Sequence, residues 1–492
     1  VFEAALEALS IVLDPSRLMF MLLGVSVGLI VGILPGLGGV VGMSLLLPFV
    51  YGMDTYAAIA MLIGMAAVIA TADTFPSVLI GVPGSAGSQA TVLDGYPLAQ
   101  QGRAGLALSA AFSASLIGGL IGALVLFMIL PVARPVILSF RSPHLFMLTV
   151  LGLCVVGLLA GKYPFRGILA TLFGILIAML GSAPASVTFR FVGDSTYLMD
   201  GIPLAILAMG LFAVPEIIDL LAENRAVSKV KTLSEGWRAG IKATFTHRWL
   251  VLRSSALGVA VGAIPGLGGS VVDWLSYGQA MHTTKDKSRF GQGEIRGVIA
   301  PESSNNAKEG GALIPTLLFG IPGSGTTAVL LGGLILLGIQ PGPSMLTSNL
   351  PVTLTVVWTL ALANVVGALA CFLLSRPIAR LSMIPASKFA PFLIIVMMVG
   401  AYQNTRHWGD LVAFLVVGLI GWLLKTYDWP RAPVLIGFVL APSIERYLTI
   451  SASRYGWSWL ADPIVIAIGL VSIAVVVAGV RVKGKSQTRE AS

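Results

Sequence analysis

The residues best suited to chemistry lie in Pro301-Glu302-Ser303-Ser304-Asn305-Asn306-Ala307-Lys308-Glu309-Gly310-Gly311. On a helix, Glu302, Asn305, Asn306 and Glu309 share one face, at i, i+3, i+4 and i+7. The amides of Asn305 and Asn306 can donate to a carboxylate. Glu302 and Glu309 repel an anion unless a proton, a cation or Lys308 neutralises them. The bland alternative is a solvated loop, as Lys285-Asp286-Lys287-Ser288-Arg289 reads just upstream. Two further carboxylates, Asp73 and Asp273, lie near the chain breaks described next. With Glu302 and Glu309 they are the candidates for cation or proton coupling, or else they cap and pair locally.

The elements that would position these groups are broken helices. Gly32-Ile33-Leu34-Pro35-Gly36-Leu37-Gly38-Gly39 has a near-copy in Gly262-Ala263-Ile264-Pro265-Gly266-Leu267-Gly268-Gly269. Gly81-Val82-Pro83-Gly84-Ser85 is matched by Gly320-Ile321-Pro322-Gly323-Ser324. The prolines are offset by 230 (265 − 35) and 239 (322 − 83) residues, which indicates an internal duplication. On these offsets Asp73 falls opposite Ala312, Asp273 opposite Met43, and the polar run 301–311 opposite the apolar run 62–72. If the duplication preserves the fold, the polar run is a helix at membrane depth. A helix does not run unbroken through such motifs, because proline removes a backbone donor and glycine permits positive φ. A half-helix that restarts after the break presents free N–H groups and a positive dipole end, which bind anions. The expected tips are Pro35, Gly36, Gly38, Pro265, Gly266 and Gly268, with Pro83, Gly84, Ser85, Pro322, Gly323 and Ser324 facing ligand. Ser88 and Thr326 are expected either to donate to it or to cap the half-helices. Kinked spans packed for stability are the alternative.

Composition sets the solvent. Of 492 residues, 56% are hydrophobic and 11% charged, and the mean hydropathy is +0.91. A soluble domain carries about a quarter charged residues. The expectation is an all-α polytopic membrane protein with about 11–13 transmembrane helices plus re-entrant pieces. The net charge of +9 falls mostly between apolar runs, as the positive-inside rule requires, and does not indicate nucleic acid. Cys154 and Cys371 read as buried small residues, and no zinc or disulfide spacing occurs. Glu3 and Glu7 stand where a signal peptide would be positive, so no cleavable leader is expected. Four segments follow: a first half at 1–222 with breaks at 32–50 and 73–95; a basic cytoplasmic linker at 223–247; a second half at 248–480 with breaks at 262–280 and 301–340; and a basic cytoplasmic tail at 481–492. An acidic N-terminal segment outside and a basic linker inside set the two halves in opposite orientations. Matched broken spans in two halves point to the binding site of a secondary transporter.

These residues together resemble the large membrane subunit of the tripartite tricarboxylate transporter family of bacteria. The resemblance rests on Leu34-Pro35-Gly36-Leu37-Gly38, on Gly81-Val82-Pro83-Gly84-Ser85 followed by Leu93-Asp94-Gly95-Tyr96-Pro97, and on Ile264-Pro265-Gly266-Leu267-Gly268. It is strongest at Ala300-Pro301-Glu302-Ser303-Ser304-Asn305-Asn306-Ala307 and at Gly310-Gly311-Ala312-Leu313-Ile314-Pro315, running on into Gly320-Ile321-Pro322-Gly323-Ser324. It implies a permease of the bacterial inner membrane, a small four-helix membrane partner, and a periplasmic substrate-binding protein. It implies uptake of organic carboxylates such as citrate, other carboxylates or aromatic acids, driven by a Na⁺ or H⁺ gradient rather than ATP, with no other cofactor. Asn305, Asn306 and the two Pro-Gly-Ser tips are then the ligand-facing groups. Ser303-Ser304, where relatives often carry small residues, is a mild departure that bears on substrate choice. No Walker A motif occurs in the chain, in agreement. The alternatives are an anion channel, against which the absence of charge rings counts, and a membrane-embedded enzyme. For the enzyme, Glu302 and Glu309 have no nucleophile–base arrangement beside them.

Overall fold

The computed structural model describes residues 2–159, 163–184, 186, 188–222, 236–267, 269–382 and 388–490. Gly268 and most of the expected basic linker, 223–235, lie outside the described residues.

The protein is all-α. The first half contains α1 (Phe2–Val12), α2 (Pro15–Ile33), α3 (Gly38–Leu46), α4 (Thr55–Ala72), α5 (Thr74–Leu79), α6 (Gln89–Gln100), α7 (Ala104–Leu138), α8 (Ser142–Leu159), α9 (Pro164–Ala178), α10 (Leu204–Ala208) and α11 (Val214–Ala222). After the linker come α12 (Trp237–Thr246), α13 (Arg248–Gly262), α14 (Gly269–His282), α15 (Arg296–Phe319), α16 (Gly325–Leu336), α17 (Leu350–Leu373), α18 (Ser375–Ser382), α19 (Ala390–Thr405), α20 (Trp408–Thr426), α21 (Arg431–Tyr455) and α22 (Pro463–Glu490). A two-residue hairpin, Gly181–Ser182 against Phe189–Arg190, is the sheet among the described residues. Among the described residues, seven helices are long and apolar enough to cross a membrane, and six shorter helices are also apolar. Helices satisfy every backbone group within the segment, which the hydrocarbon interior demands. Large side chains such as Phe165, Leu415 and Leu470 are accordingly exposed on the outside. The expected boundary at 480 falls inside α22, which runs on to Glu490.

Local chemistry starts and stops these helices. Asp14 accepts from the N–H groups of Ser16 and Arg17 and caps α2, with Pro15 in its first turn. Asp54 accepts from Ala57 N–H and caps α4. Between α10 and α11 one wide turn, Met209–Ala213, has π geometry. Such bulges mark functional or strained places in helices. Here Arg431 donates to the Leu211 carbonyl at 3.1 Å and to Glu216 at 2.9 Å, which holds the wide turn open.

Packing is set by glycines that remove side chains from helix crossings. A Cβ at Gly28 would stand 2.7 Å from the Met65 carbonyl, and one at Gly32 would stand 3.1 Å from that of Ile69. Residue numbers rise together, so α2 and α4 run parallel, and α3 must return between them. In the second half a Cβ at Gly258 would stand 2.4 Å from the Ser304 carbonyl, and one at Gly262 2.4 Å from that of Lys308. Thus α13 and α15 are parallel in the same way, at positions offset by the same residues as the motifs. Between halves the sense reverses: Glu302 meets Thr74, while Asn305 meets Ala70. Helix α15 therefore runs antiparallel to the α4–α5 span.

Candidate functional site

The polar run 301–311 is helical, inside α15, and buried from Pro301 to Ala307. It is not a loop, and it lies against the last turn of α4. Around it the four breaks meet. Gly36, at φ +84°, donates its N–H to the Gly84 carbonyl at 3.2 Å. Gly266, at φ +81°, does the same to Gly323 at 3.2 Å. These φ values are in the region that favours glycine, which explains glycine directly after each proline. The halves also touch each other. A Cβ on Gly39 would lie 2.7 Å from Thr326 Oγ1, and one on Gly269 would lie 3.2 Å from Gly87 Cα. Gly39 corresponds to Gly269, and Thr326 to Gly87, on the offsets of the motifs. The four corners therefore form a closed ring: first to second, second to third, third to fourth, fourth to first. Helices α3, α6, α14 and α16 all start from it.

The tips are capped from within. The Ser85 hydroxyl accepts from Gly87 N–H, and Ser88 Oγ accepts from Ser85 N–H. The Ser324 hydroxyl accepts from Thr327 N–H at 3.2 Å, and Thr327 Oγ1 accepts from Ser324 N–H at 2.8 Å. Each is a capping box. Pro83 and Pro322 enter these caps, and Ser88 is buried, while Thr326 is half-buried and faces Gly39. Pro35 and Pro265 stand in the turns of the other two corners, and Gly38, at φ +56°, approaches the Ser85 side chain.

The charged groups divide by what they hold. Glu302 is fully buried and accepts three hydroxyls: Thr74 at 2.8 Å, Thr91 at 2.8 Å and Ser115 at 3.0 Å. Its oxygens bind α5, α6 and α7 to α15. Asp273 accepts the N–H groups of Ala90 at 2.9 Å and Trp274 at 2.8 Å, so it ties α14 to α6. Asp73 accepts the Ser85 hydroxyl on one oxygen. Asn305 donates to the Ala70 carbonyl at 3.4 Å. Asn306 donates to Thr71 Oγ1 at 2.8 Å and to Asn364 Oδ1 at 3.0 Å. Glu309 is one turn further along α15, paired with Lys308. Asn305 and Asn306 thus face the last turn of α4, Glu302 reaches α5, α6 and α7 beside it, and Glu309 stands apart from these contacts.

Sequence reasoning missed several participants. A Cβ on Gly269 would lie 2.9 Å from Lys308 Cε, so the lysine stem lies along the third corner and beside Gly87. From sequence Lys308 is expected only as a neutraliser of glutamates; it does pair with Glu309, and its stem also lies at the ring. Asn364, an amide inside the apolar α17, carried a signal in its isolation. Thr71, Thr74, Thr91 and Ser115 carried none, because single hydroxyls are common in membrane helices. Among the described residues no group of three or more His, Cys, Asp or Glu can hold a metal ion.

Comparison with known proteins agrees with this architecture. Residues 18–436 match the family model of the tripartite tricarboxylate transporter TctA family. An uncharacterised 52.8 kDa protein of the TAR-I ttuC′ 3′ region of Agrobacterium vitis is 31% identical over 94% of this chain and 93% of its own. A second uncharacterised protein, of the TAR-II ttuC′ 3′ region of that organism, is 33% identical over 39% of this chain and 79% of its own. No solved structure matches. The match covers both pairs of breaks and all of α15, so the ring is built from family sequence. With many apolar helices around four interlocked helix starts, this chain belongs to the tripartite tricarboxylate transporter TctA family, a family of multi-pass membrane transporters and not of enzymes.

Proposed function

We propose that the ring of helix starts is the substrate site of an ion-driven importer of small organic acids in the bacterial inner membrane. The observation that carries this is the meeting of four helix N-termini with Lys308 at their edge. Each start turns a positive dipole end toward a guest carboxylate, with the N–H groups that the caps and Asp273 leave free. Lys308 exchanges Glu309 for that carboxylate when substrate enters. Asn305 and the Ser85 and Ser324 tips shape the pocket.

The two halves are read as an inverted repeat. In support, α2 runs parallel to α4 and α13 to α15, while α15 opposes α4. Exchange of halves also maps the Gly39–Thr326 contact onto the Gly269–Gly87 contact. Inverted repeats around a fixed site are the usual basis of alternating access. The ring and its helices move against the remaining scaffold, as in an elevator. Na⁺ or H⁺ supplies the driving force. A periplasmic binding protein delivers the acid, and a small four-helix subunit completes the membrane part.

The test is uptake of labelled citrate and related acids by the reconstituted three-part complex. Uptake is expected to cease when the Na⁺ and H⁺ gradients are both collapsed, and Lys308→Met is expected to raise KM at least about tenfold. Uptake that survives collapse of both gradients overturns the coupling. An unchanged KM in Lys308→Met overturns the site.

A further inference from the structure

We propose that the last turn of α4, with Asn305 and Asn306 of α15, binds one sodium ion per chain. This deepens the site just described and rests on that reading. It starts from two buried side-chain oxygens that receive no donor among the described residues: Asp73 Oδ1 and Asn306 Oδ1. Asp73 is fully buried and Asn306 is 2% exposed, so water does not reach them freely. Buried acceptors without a partner are rare and costly.

The orientation of Asn306 follows from its neighbours. Asn364 donates its own amide to the Leu360 carbonyl at 2.8 Å, so it turns its oxygen toward Asn306. That oxygen and Thr71 Oγ1 hold the nitrogen of Asn306, and Asn306 Oδ1 is left pointing elsewhere. Asn305 gives its nitrogen to the Ala70 carbonyl, while its oxygen lies at Gly87, 2.3 Å from where a Cβ would stand. Only a residue without a side chain leaves room for it there. Gly87 N–H donates to Ser85 Oγ, and Ser85 donates to Asp73, so Asn305 and Asp73 border the same tip. The neighbouring backbone carries a further acceptor. Pro76 has no N–H for the Ala72 carbonyl four residues back, which frees that carbonyl from its helical partner.

The donor set selects the ligand. Oxygen-only surroundings suit a hard cation. The nearby carboxylates Glu302 and Asp273 already hold hydroxyl and N–H donors on both oxygens, and Lys308 is paired with Glu309. One open carboxylate with neutral amide and carbonyl oxygens fits a monovalent ion, whereas calcium sites gather several carboxylates. The other half cannot repeat the site. Ala312 replaces Asp73 there, and Ala66 and Ala67 replace Asn305 and Asn306. This site therefore occurs once in the chain.

The experiment uses the purified full-length permease in nanodiscs, without organic acid or binding protein. Thermal unfolding is followed against NaCl, with choline chloride holding ionic strength constant. A saturable rise in Tm specific to sodium is expected in the wild type. It should vanish in Asp73→Asn and shift to at least about tenfold higher sodium in Asn306→Ala, while Asp286→Asn, in an exposed loop, keeps it. If Asp73→Asn does not fold, Asn306→Ala decides. An equal response to potassium or choline overturns the proposal, as does a sodium response unchanged in Asn306→Ala. Loss of the sodium response alongside intact gradient-driven uptake removes this site alone. A sodium response without any carboxylate uptake removes the transport reading instead.

Discussion

At the scale of single residues, the ring separates groups that hold the fold from groups left open. Glu302 is a clamp: three hydroxyls on three helices converge on it. Glu302→Leu leaves those hydroxyls without an acceptor, at roughly 1–3 kcal/mol for each one that finds no other partner. Loss of folded protein in size-exclusion chromatography is the expected outcome, and Glu302→Gln, which keeps one acceptor oxygen, should recover much of it. Full recovery of folded yield in Glu302→Leu contradicts the clamp. The two capping serines give a sharper comparison. Ser324→Ala removes a cap, at about 1 kcal/mol. Ser85→Ala removes the equivalent cap and also the donor to buried Asp73, so it should cost more than Ser324→Ala in a chemical denaturation series. Equal losses would mean that the Asp73 contact adds nothing.

At the scale of elements, the matched glycines decide how closely helices approach. Gly258 and Gly28 occupy equivalent crossings, with backbone carbonyls 2.4 and 2.7 Å from a hypothetical Cβ. A carbonyl cannot move aside as a side chain does. Alanine at either place should therefore destabilise by at least about 1–3 kcal/mol, the usual cost of overpacking. Alanine at Gly278, where a Cβ meets nothing within 4 Å, should be silent or slightly stabilising. Lowered Tm at the first two sites and none at the third checks the assignment. Helix α15 shows why an element can escape sequence reading. Its first half is polar enough to pass for a loop, yet every polar side chain from Glu302 to Asn306 is buried. Burial is tolerated because α4, α5, α6, α7, α17 and the carbonyls of α15 itself supply partners.

At the scale of the whole molecule, the two halves interlock through their breaks. Gly39 and Thr326 test it directly, since a Cβ at Gly39 would stand 3.6 Å from that of Thr326. Disulfides need about 3.5–4.5 Å between Cβ atoms. The double variant Gly39→Cys, Thr326→Cys should cross-link on mild oxidation. With a protease site placed in 223–247, the cut halves should migrate together on a non-reducing gel and apart after reduction. Halves that separate without reductant would show that the corners do not meet.

The amino-acid order alone determined the class of solvent and the places where the helices break. Those follow from composition and from proline and glycine, whose effects on the backbone are local and need no neighbour. It also placed Asn305 and Asn306 among the groups of interest, because amides inside a membrane chain must find partners. What the tertiary structure decided is which groups each polar atom meets. Glu302 meets hydroxyls 228, 211 and 187 residues away, and Lys308 meets a corner supplied by both halves. Side-chain partners at such separations depend on helix crossings set by the packing of the whole chain. No local rule of spacing encodes them, so the division between clamp, cap and open oxygen became visible only once the helices were assembled.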